Sequence, residues 1–348
     1  MSDKPLKIGL TGLNATDSPG PGVGVARCLK DADDLEIEII GLAYETLEPG
    51  IYLHDLIKKS YQVPYPSAGT EQVFKRLSHI QSKEHLDLII PNFDAELWNY
   101  IKLTPRLKEI GIRTFMPSLE QLDKINKLNL DEFARNNDIP SPSTKKFSSI
   151  DELEEFGREA EYPLVIKGKF YEAFIVYNTA QLVYYYNKLN AKWGLPVLVQ
   201  EFVDGSEIVI AGLGDGKGNL IGAVPLRKLF ITDKGKGWAG VVINDQQYLD
   251  LAEKINKVLA WKGGFEIELK RNDNGDVFLL EINPRFPAWI YTTAAAGQNM
   301  PLALVHMAMG MEQVPFQQYE TGKMFVRYSW DHITDISEFQ KISTLGEL

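Results

Sequence analysis

The residues of this chain best suited to chemistry lie on two acidic stretches joined by a turn, between positions 264 and 285. Their sequence is G-F-E-I-E-L-K-R-N-D-N-G-D-V-F-L-L-E-I-N-P-R. The Asn-Gly pair at 274 and 275 is the dipeptide that best supplies the two positive φ angles of a type I′ hairpin turn. A two-residue loop at that point predicts that Asp273 pairs with Asp276, and this pair fixes the register of the whole hairpin.

The predicted register separates the hairpin into a polar face and a core face, because directly opposed residues share a face. The polar face carries Glu266 opposite Asn283 and Glu268 opposite Glu281; the core face carries Ile267, Leu269, Phe278, Leu280 and Ile282. Like charges directly opposite each other cost roughly 0.2–1 kcal/mol, so a compensating group is expected. Mg²⁺ prefers carboxylate and amide oxygens, and usually binds through one or two carboxylates plus substrate phosphates. The alternative is a solvated acidic hairpin that Lys270 and Arg271 screen.

The composition limits the class of protein. A chain of 348 residues predicts about two or three subdomains. The net charge of −10 argues against a general nucleic-acid or anionic-membrane binder. No apolar run approaches the ~18–20 residues that span a bilayer, and the N-terminus lacks a signal-peptide pattern. With Cys28 as the single cysteine, an internal disulfide is excluded and a reducing, cytoplasmic setting is expected.

The first part of the chain predicts a small doubly wound α/β domain, since strands alternate with helical segments through about residue 120. The predicted strands are Lys7 to Gly12, Glu36 to Ala43 and Asp87 to Pro91. A glycine-rich loop follows the first strand and opens a helix, either as a nucleotide-binding turn, a tight turn, or part of a pocket for a second substrate. After the third strand, Asp94 and Glu96 lie where ligands bind in open α/β sheets. The alternative is that Asp94 caps a helix whose first turn holds Glu96.

The second part of the chain places further charged residues on predicted strands. Two helical stretches between 119 and 139 end at a proline-marked exit, and a helix from Asp151 has Ser148 or Ser149 as its expected cap. The segment Y-P-L-V-I-K-G-K-F predicts a buried strand that carries Lys167 and Lys169 on one face. Glu207 interrupts an apolar stretch that follows the strand V-L-V-Q-E-F-V, which is uncommon without a partner.

Four features in order resemble the ATP-grasp superfamily, in the branch similar to carbamoyl-phosphate synthase and small carboxylate–amine ligases. They are Lys127 before a helix ending in I-P, Lys167 on a strand, Q-E-F-V followed by Glu207, and the hairpin ending E-I-N-P-R. The resemblance covers roughly residues 5 to 315. It implies an α/β fold, α+β in the nucleotide-binding part, with an N-terminal Rossmann-like domain (1–118), a small lid subdomain (119–200) and a C-terminal ATP-grasp subdomain (201–348).

The resemblance also implies a role for each matching residue. Lys127 and Lys167 would contact ATP phosphate, Lys169 would assist them, and Glu207 would accept hydrogen bonds from the ribose hydroxyls. The adenine would bind along Gln200, Glu201, Phe202 and Val203. Mg²⁺, as two ions with Mn²⁺ as a possible substitute, would be held by Glu268, Glu281 and Asn283. Arg285 would steady the transferred phosphoryl group, assisted by Arg227, while Asp94, Glu96, Lys236 and Trp289 are candidate substrate residues. The alternatives are a surface salt bridge for Arg227, solvent exposure for Lys236 and simple packing for Trp289.

The activity that the resemblance implies is an ATP-dependent ligation of a carboxylate to an amine through an acyl phosphate, on amino-acid or peptide substrates, in a protein that dimerises. The segment after Lys167, G-K-F-Y-E-A-F, departs from the family because the usual glycine-rich flap is missing. Lys169 with aromatic side chains, or the segment Asp233 to Gly240, would then close over the phosphates. The alternatives are a catalytically weak homologue that acts as a nucleotide-dependent binding protein, a small carboxylate or carbamate kinase, and an oxidoreductase that binds NAD(P) at the N-terminal glycine loop.

Overall fold

The computed structural model describes residues 4–16, 18–169, 172–233, 235–313 and 315–348. The strands are β1 (Leu6–Leu10), β2 (Ile37–Ala43), β3 (Lys59–Gln62), β4 (Leu88–Ile90), β5 (Arg113–Thr114), β6 (Thr144–Phe147), β7 (Leu164–Lys167), β8 (Ala173–Val176), β9 (Val197–Glu201), β10 (Ser206–Asp215), β11 (Leu220–Ile231), β12 (Gly237–Val242), β13 (Lys262–Arg271), β14 (Val277–Asn283) and β15 (Met324–Val326). The helices are α1 (Pro21–Lys30), α2 (Thr70–Glu84), α3 (Asp94–Glu109), α4 (Leu119–Ile125), α5 (Leu130–Asn136), α6 (Ile150–Glu159), α7 (Thr179–Trp193), α8 (Gln246–Leu259), α9 (Tyr291–Ala295), α10 (Met300–Met309) and α11 (Ile336–Leu345).

The chain forms two compact units. Unit 1 comprises Met1–Leu119, Val209–Glu266 and Asn283–Leu348, and unit 2 comprises Glu120–Ile208 and Ile267–Ile282. A six-stranded sheet has the order β14-β13-β10-β11-β12-β15, and three of its strands, β10, β13 and β14, continue from one unit into the other. The three-part division expected from the sequence stays a prediction.

Unit 1 contains the predicted doubly wound domain. Its five-stranded sheet has the order β3-β2-β1-β4-β5 and all its pairs are parallel. The chain order reverses between β1 and β4, so the crevice at their carboxyl ends is the topological switch point. Helix α1 begins directly above it, and Gly22 permits the close approach because a Cβ there would lie 2.1 Å from the carbonyl oxygen of Thr11.

Unit 2 contains an antiparallel sheet of order β6-β9-β7-β8 whose two faces differ in chemistry. One face packs against α6 and α7, through a core that includes Phe147, Ile166, Leu182, Val197 and Val199. On the other face Thr144 lies opposite Gln200 and Lys167 opposite Leu198. The predicted helix cap is confirmed at Ser149, whose hydroxyl accepts from the backbone N–H of Glu152.

The predicted hairpin is present as β13 and β14, but the predicted two-residue loop is wrong. Asn272 donates from its backbone to the carbonyl of Asp276 at 3.0 Å, so three residues lie between the closing pair. Only Gly275 in this turn has a positive φ, at 89°. A type I′ turn needs a positive φ at both of its central residues, so this turn is of another type. The side chain of Asn272 explains why the loop has three residues, because its Oδ1 accepts a hydrogen bond from the backbone N–H of Asp276 at 2.8 Å and closes the wider loop.

The longer loop also changes which residues of β14 face the core. Val277, Leu279 and Ile282 are buried, whereas Phe278 and Leu280, predicted for the core face, are half-buried. The alternation of buried and half-buried residues along β14 therefore shifts by one residue between Leu279 and Ile282, which is typical of an irregular strand. A second strand prediction is also wrong: β7 ends at Lys167, so Lys169 lies beyond the strand, because the chain turns back towards β8 at that point.

Candidate active site

The first group of candidate site residues lines one cleft of unit 2. The cleft is lined by Lys127, Leu130, Asp131, Ser141, Pro142, Thr144, Lys167, Leu198, Gln200, Leu279, Leu280 and Glu281. The open face of the four-stranded sheet supplies Thr144, Lys167 and Gln200, the connection between α4 and α5 supplies Lys127, and β14 supplies Glu281. Two predicted phosphate lysines and one predicted metal ligand thus lie in one cleft.

The charges in this cleft are close enough to influence each other. Lys127 Nζ lies 3.4 Å from Glu281 Oε1, and both side chains keep part of their surface exposed. Burial lowers the pKa of Lys167; the neighbouring charge of Lys127 lowers it further, and the carboxylates of Glu281 and Glu268 oppose the shift. A buried ammonium group with a second ammonium group nearby is an arrangement that a bound polyanion relieves.

The oxygen donors of the cleft also fit the expected metal. Glu281 and Glu268 both act electrostatically on Lys167, so the two predicted carboxylate ligands lie near the same ammonium group. Carboxylate oxygens are the hard ligands that Mg²⁺ requires. Among the residues that the structure describes, no cluster of three or more His, Cys, Asp or Glu is arranged to hold a metal alone. Two carboxylates whose ion is completed by phosphate oxygens do not need such a cluster.

The second group of candidate site residues lies in unit 1 around a carboxylate that the sequence argument did not single out as a site residue. Glu266 is 7% exposed, and its oxygens receive three donors: Trp289 Nε1 at 2.9 Å, Arg285 Nη1 at 3.1 Å and Asn283 Nδ2 at 3.2 Å. Arg285 Nε also lies 3.3 Å from Asp94 Oδ1. The guanidinium of Arg285 is therefore held between two carboxylates, which fixes its plane.

The C-terminal segment brings another arginine to this part of unit 1. Arg327 donates from its guanidinium to the hydroxyl of Ser18, in the glycine-rich loop, and its backbone N–H bonds to Trp238. Burial lowers the pKa of Arg327, and the charge of Glu266 opposes that shift. No sequence signal marks this residue, because it lies 42 positions beyond Arg285 and reaches the site only through the pairing of β15 with β12.

Glu96, by contrast, faces the interior of unit 1. It is 1% exposed, and one of its oxygens accepts from the backbone N–H groups of Asn92 at 2.8 Å and Phe93 at 3.0 Å. The hydroxyls of Thr11 and Tyr44 also donate to its carboxyl group. Burial raises the pKa of Glu96 to about 7, and these hydrogen bonds limit the rise. Asp94 is the first residue of α3, not its cap, because the N-cap position is Phe93.

The other predicted site residues lie outside these two groups. Glu201 is exposed at the end of β9, Phe202 and Val203 follow it half-buried, and Glu207 Oε1 lies 3.4 Å from Lys270 Nζ. Arg227, on β11, and Lys236, before β12, are exposed. Lys169 is half-buried where the connection from β7 to β8 begins. Lys234, within the segment Asp233 to Gly240, lies outside the described residues.

The chain is similar to a known protein family and to several solved structures. A family model described as "ATP-grasp in the biosynthetic pathway with Ter operon" matches residues 195–330. The biotin carboxylase domain of 2-oxoglutarate carboxylase from Hydrogenobacter thermophilus, a dimer in complex with MgADP, ADP and bicarbonate, is 16% identical, with a TM-score of 0.71, and the match covers 91% of this chain and 73% of that one. The chain has the ATP-grasp fold, and its residues 195–330 match an ATP-grasp family model.

Two further ATP-grasp structures are similar. The ADP complex of N5-carboxyaminoimidazole ribonucleotide synthetase is 14% identical, with a TM-score of 0.69 and coverage of 92% of this chain and 80% of that one. The L-amino acid ligase from Bacillus licheniformis is also 14% identical, with a TM-score of 0.64 and coverage of 88% and 75%. The predicted fold class, a Rossmann-like domain followed by an ATP-grasp fold, is confirmed.

The connection between β7 and β8 is short. Lys167 pairs with Ala173, so only five residues, 168 to 172, join the two strands. Gly168 donates from its backbone to the carbonyl of Glu172 at 3.0 Å. The carboxylate of Glu172 accepts from Trp193 Nε1 at 2.8 Å and lies 3.0 Å from Lys192, which anchors the end of the connection to α7. Phe170 and Tyr171, expected to assist closure, lie outside the described residues.

Among the described residues, no helix has the length and apolar character needed to cross a bilayer.

Proposed function

We propose that this chain is an ATP-dependent carboxylate–amine ligase, which forms an amide or peptide bond through an acyl phosphate on an amino-acid or peptide substrate. The observation that supports this most is the cleft of unit 2, where Lys127 and Lys167 lie with Glu281. Like charges repel more strongly where water is scarce, so a polyphosphate is the ligand whose charge these lysines best complement. The similarity to a ligase that acts on L-amino acids supports the substrate class.

We assign the roles as follows. Lys127 and Lys167 neutralise phosphate oxygens, and Glu268, Glu281 and Asn283 hold and orient Mg²⁺, as two ions that Mn²⁺ can replace. The segment Gln200 to Val203 contacts adenine, Glu207 contacts the ribose, and Lys169 assists at the phosphates. Bound Mg·ATP supplies the phosphoryl group that turns a carboxylate into an acyl phosphate, from which an amine then displaces phosphate. The work of the protein is positioning and charge neutralisation.

The cluster in unit 1 is suited to anion binding and substrate orientation. Arg285, fixed between Glu266 and Asp94, presents a guanidinium of set orientation to an acyl phosphate or carboxylate. Asp94, whose side chain is 36% exposed, is the candidate for the acceptor's ammonium group. Trp289 holds Glu266 in place from within the core. We also propose that Arg227 and Lys236, both exposed, supply positive charge near the substrates.

The test is a phosphate-release assay over pairs of amino acids and dipeptides, with Mg²⁺ and ATP. Glu281→Gln removes one charge with little change in volume, so we expect a loss of at least about a hundredfold in rate, as when one electrostatic contact to developing charge is lost. The matched control is Glu155→Gln, on the exposed side of α6 in the same unit. Turnover of Glu281→Gln at the rate of the unchanged protein would contradict the assignment.

A second function is favoured by the short connection between β7 and β8, because five residues with one glycine make a small cover for a triphosphate. In this alternative the chain is a nucleotide-dependent binding protein with little or no turnover. It predicts that ADP and ATP bind while no acceptor stimulates phosphate release. A third outcome, phosphate transfer to a carboxylate without an amine, would identify a small carboxylate or carbamate kinase.

The partners that follow from this proposal are small-molecule or peptide carboxylates and amines, without nucleic acid or membrane. We also propose a dimer in the cytoplasm, since the first of the similar structures is a dimer and the single cysteine, Cys28, is free and buried.

A further inference from the structure

An apolar surface lies at one edge of the six-stranded sheet, within unit 1. β15 is the last strand in the order of that sheet, and among the described residues β12 is the one strand that pairs with it. Val326 on β15 lies opposite Ala239 on β12, which in turn lies opposite Phe230 on β11, so these three residues share a face. The surface, here called the edge patch, consists of five side chains that are each 58–71% exposed: Phe230, Met324, Val326, Tyr328 and Trp330.

The two faces of β15 differ in chemistry. Phe325 packs against the core of unit 1, and the guanidinium of Arg327 donates to the glycine-rich loop, so these two side chains point inward. Because side chains alternate along a strand, Met324 and Val326 point outward, and Tyr328 continues their row. The arginine charge is therefore on the inner face, and the outer face of the strand is apolar.

The outer edge of β15 also has backbone groups that can pair with a further strand. The backbone N–H of Val242 donates to the carbonyl of Lys323 at 2.8 Å, and that of Arg327 donates to a carbonyl of β12 at 2.9 Å. In an antiparallel pair alternate residues point their N–H and C=O groups to opposite sides, so those of Met324 and Val326 point away from β12. An apolar strand edge of this kind is a template for pairing with another chain.

The size of the edge patch indicates a protein partner. The rings of Tyr328 and Trp330 lie with their centroids 5.5 Å apart, so the patch continues beyond the end of β15. At about 200 Å² for a large side chain, the five residues leave roughly 600 Å² uncovered. That area is at the top of the range for the largest patch on a soluble monomer, and it approaches the ~800 Å² that each partner contributes to a standard interface.

The sequence of β15 fits pairing with a second copy of itself. An interface about a two-fold axis brings the same strand from both subunits together in antiparallel order. With the axis at Val326, this residue lies opposite its own copy, apolar residues lie opposite apolar residues, and no like charges meet. The other opposed pairs are Met324 with Tyr328, Phe325 with Arg327, and Lys323 with Ser329.

We propose that β15 pairs with β15 of a second copy of this chain, antiparallel about a two-fold axis at Val326, so that the six-stranded sheets of two subunits become continuous. The outer side chains of the two strands then pack side by side and cover the inner part of each edge patch. The inference rests on the dimer proposed above, whose surface it names, and it is independent of the ligase activity.

The first experiment is sedimentation velocity of the full chain over a range of concentrations, for which we expect a dimer. Val326→Lys places two ammonium groups opposite each other at the axis, and lysine on an edge strand opposes pairing, so the Kd of the dimer should rise at least about tenfold. The matched control is Val258→Lys, at an exposed position of α8 in the same unit, which should keep the dimer. Circular dichroism shows whether both variants are folded.

The second experiment tests the register by oxidation of introduced cysteines. In Val326→Cys the two new thiols lie on directly opposed residues, whose Cα atoms are about 5.5 Å apart, within the range of a disulfide. In Tyr328→Cys they lie four residues apart along the pair, at more than about 13 Å, beyond that range. Val326→Cys should therefore form at least about tenfold more covalent dimer than Tyr328→Cys, and the buried Cys28 does not interfere.

The outcomes separate this inference from the proposed function. A dimer that Val326→Lys leaves intact, or one in which Val326→Cys does not cross-link, overturns the pairing at β15 while the dimer stands. If Val326→Lys does not fold, Val326→Cys, which is close to valine in size, decides alone. A monomer at every concentration overturns the dimer and this inference with it, whereas the ligase activity is judged by phosphate release.

Discussion

Glu96 lies in the core of unit 1 and should make stability depend on pH, a property that Glu96→Gln is expected to remove. Burial raises the pKa of its carboxyl group from an ordinary value of 4.5 to about 7. Because the folded pKa lies above the unfolded one, the stabilisation is complete below about pH 4.5 and is lost as the pH rises through about 7. Each pKa unit corresponds to about 1.4 kcal/mol, so the free energy of unfolding should fall by up to about 3 kcal/mol across that window.

The glutamine variant resembles the protonated carboxyl group in shape and cannot ionise. One amide oxygen still accepts from the backbone N–H groups of Asn92 and Phe93, and the amide nitrogen can donate to the hydroxyl of Tyr44. Glu96→Gln should therefore gain up to about 3 kcal/mol relative to the unchanged protein between pH 4.5 and pH 8.

The measurement is urea unfolding followed by circular dichroism at several pH values. The control is Glu109→Gln, on the exposed side of the same helix, α3. A pH-independent difference between Glu96→Gln and the unchanged protein would show that the pKa of Glu96 is the same in the folded and unfolded states, and would refute the reasoning.

Two other predictions concern buried groups. Cys28 is fully buried and burial raises the pKa of its thiol, so we expect a thiol reagent to label the folded protein at least about a hundredfold more slowly than the urea-unfolded chain; rapid labelling of the folded form would contradict this. Trp289→Phe removes the N–H that donates to Glu266 Oε1, and leaving a buried carboxylate oxygen without that donor should lower the free energy of unfolding by roughly 1.5–3 kcal/mol. A variant as stable as the unchanged protein would mean that Trp289 only fills space, and Trp238→Phe, a half-buried site, is the matched comparison.

Local signals predicted the elements of the fold well. The mainly apolar stretches Ile37–Ala43 and Leu88–Ile90 form strands on either side of β1, because strands of a parallel sheet are buried on both faces. The cap at Ser149 was readable since capping depends on residues within one helical turn. The turn at Asn272 was misread, because a side chain just outside the expected loop competed with the Asn-Gly pair for the closing bond.

The sites were predictable only in part, for a related reason. Lys127, Lys167 and Glu281 were identified by their order in the chain, and the structure brings them to one cleft. Thr144 carries no motif, and its proximity to Gln200, 56 positions further along the chain, follows from the pairing of β6 with β9.

The sequence by itself therefore determined which segments form strands and helices, that the chain resembles ATP-grasp proteins, and which charged residues were candidates. Only the tertiary structure decided that Glu266 gathers Trp289, Arg285 and Asn283 and that Glu96 faces inward. The physical reason is that periodicity and capping act over a few residues, whereas the environment of a buried polar group is set by strands that are distant in sequence and meet only when the sheets form.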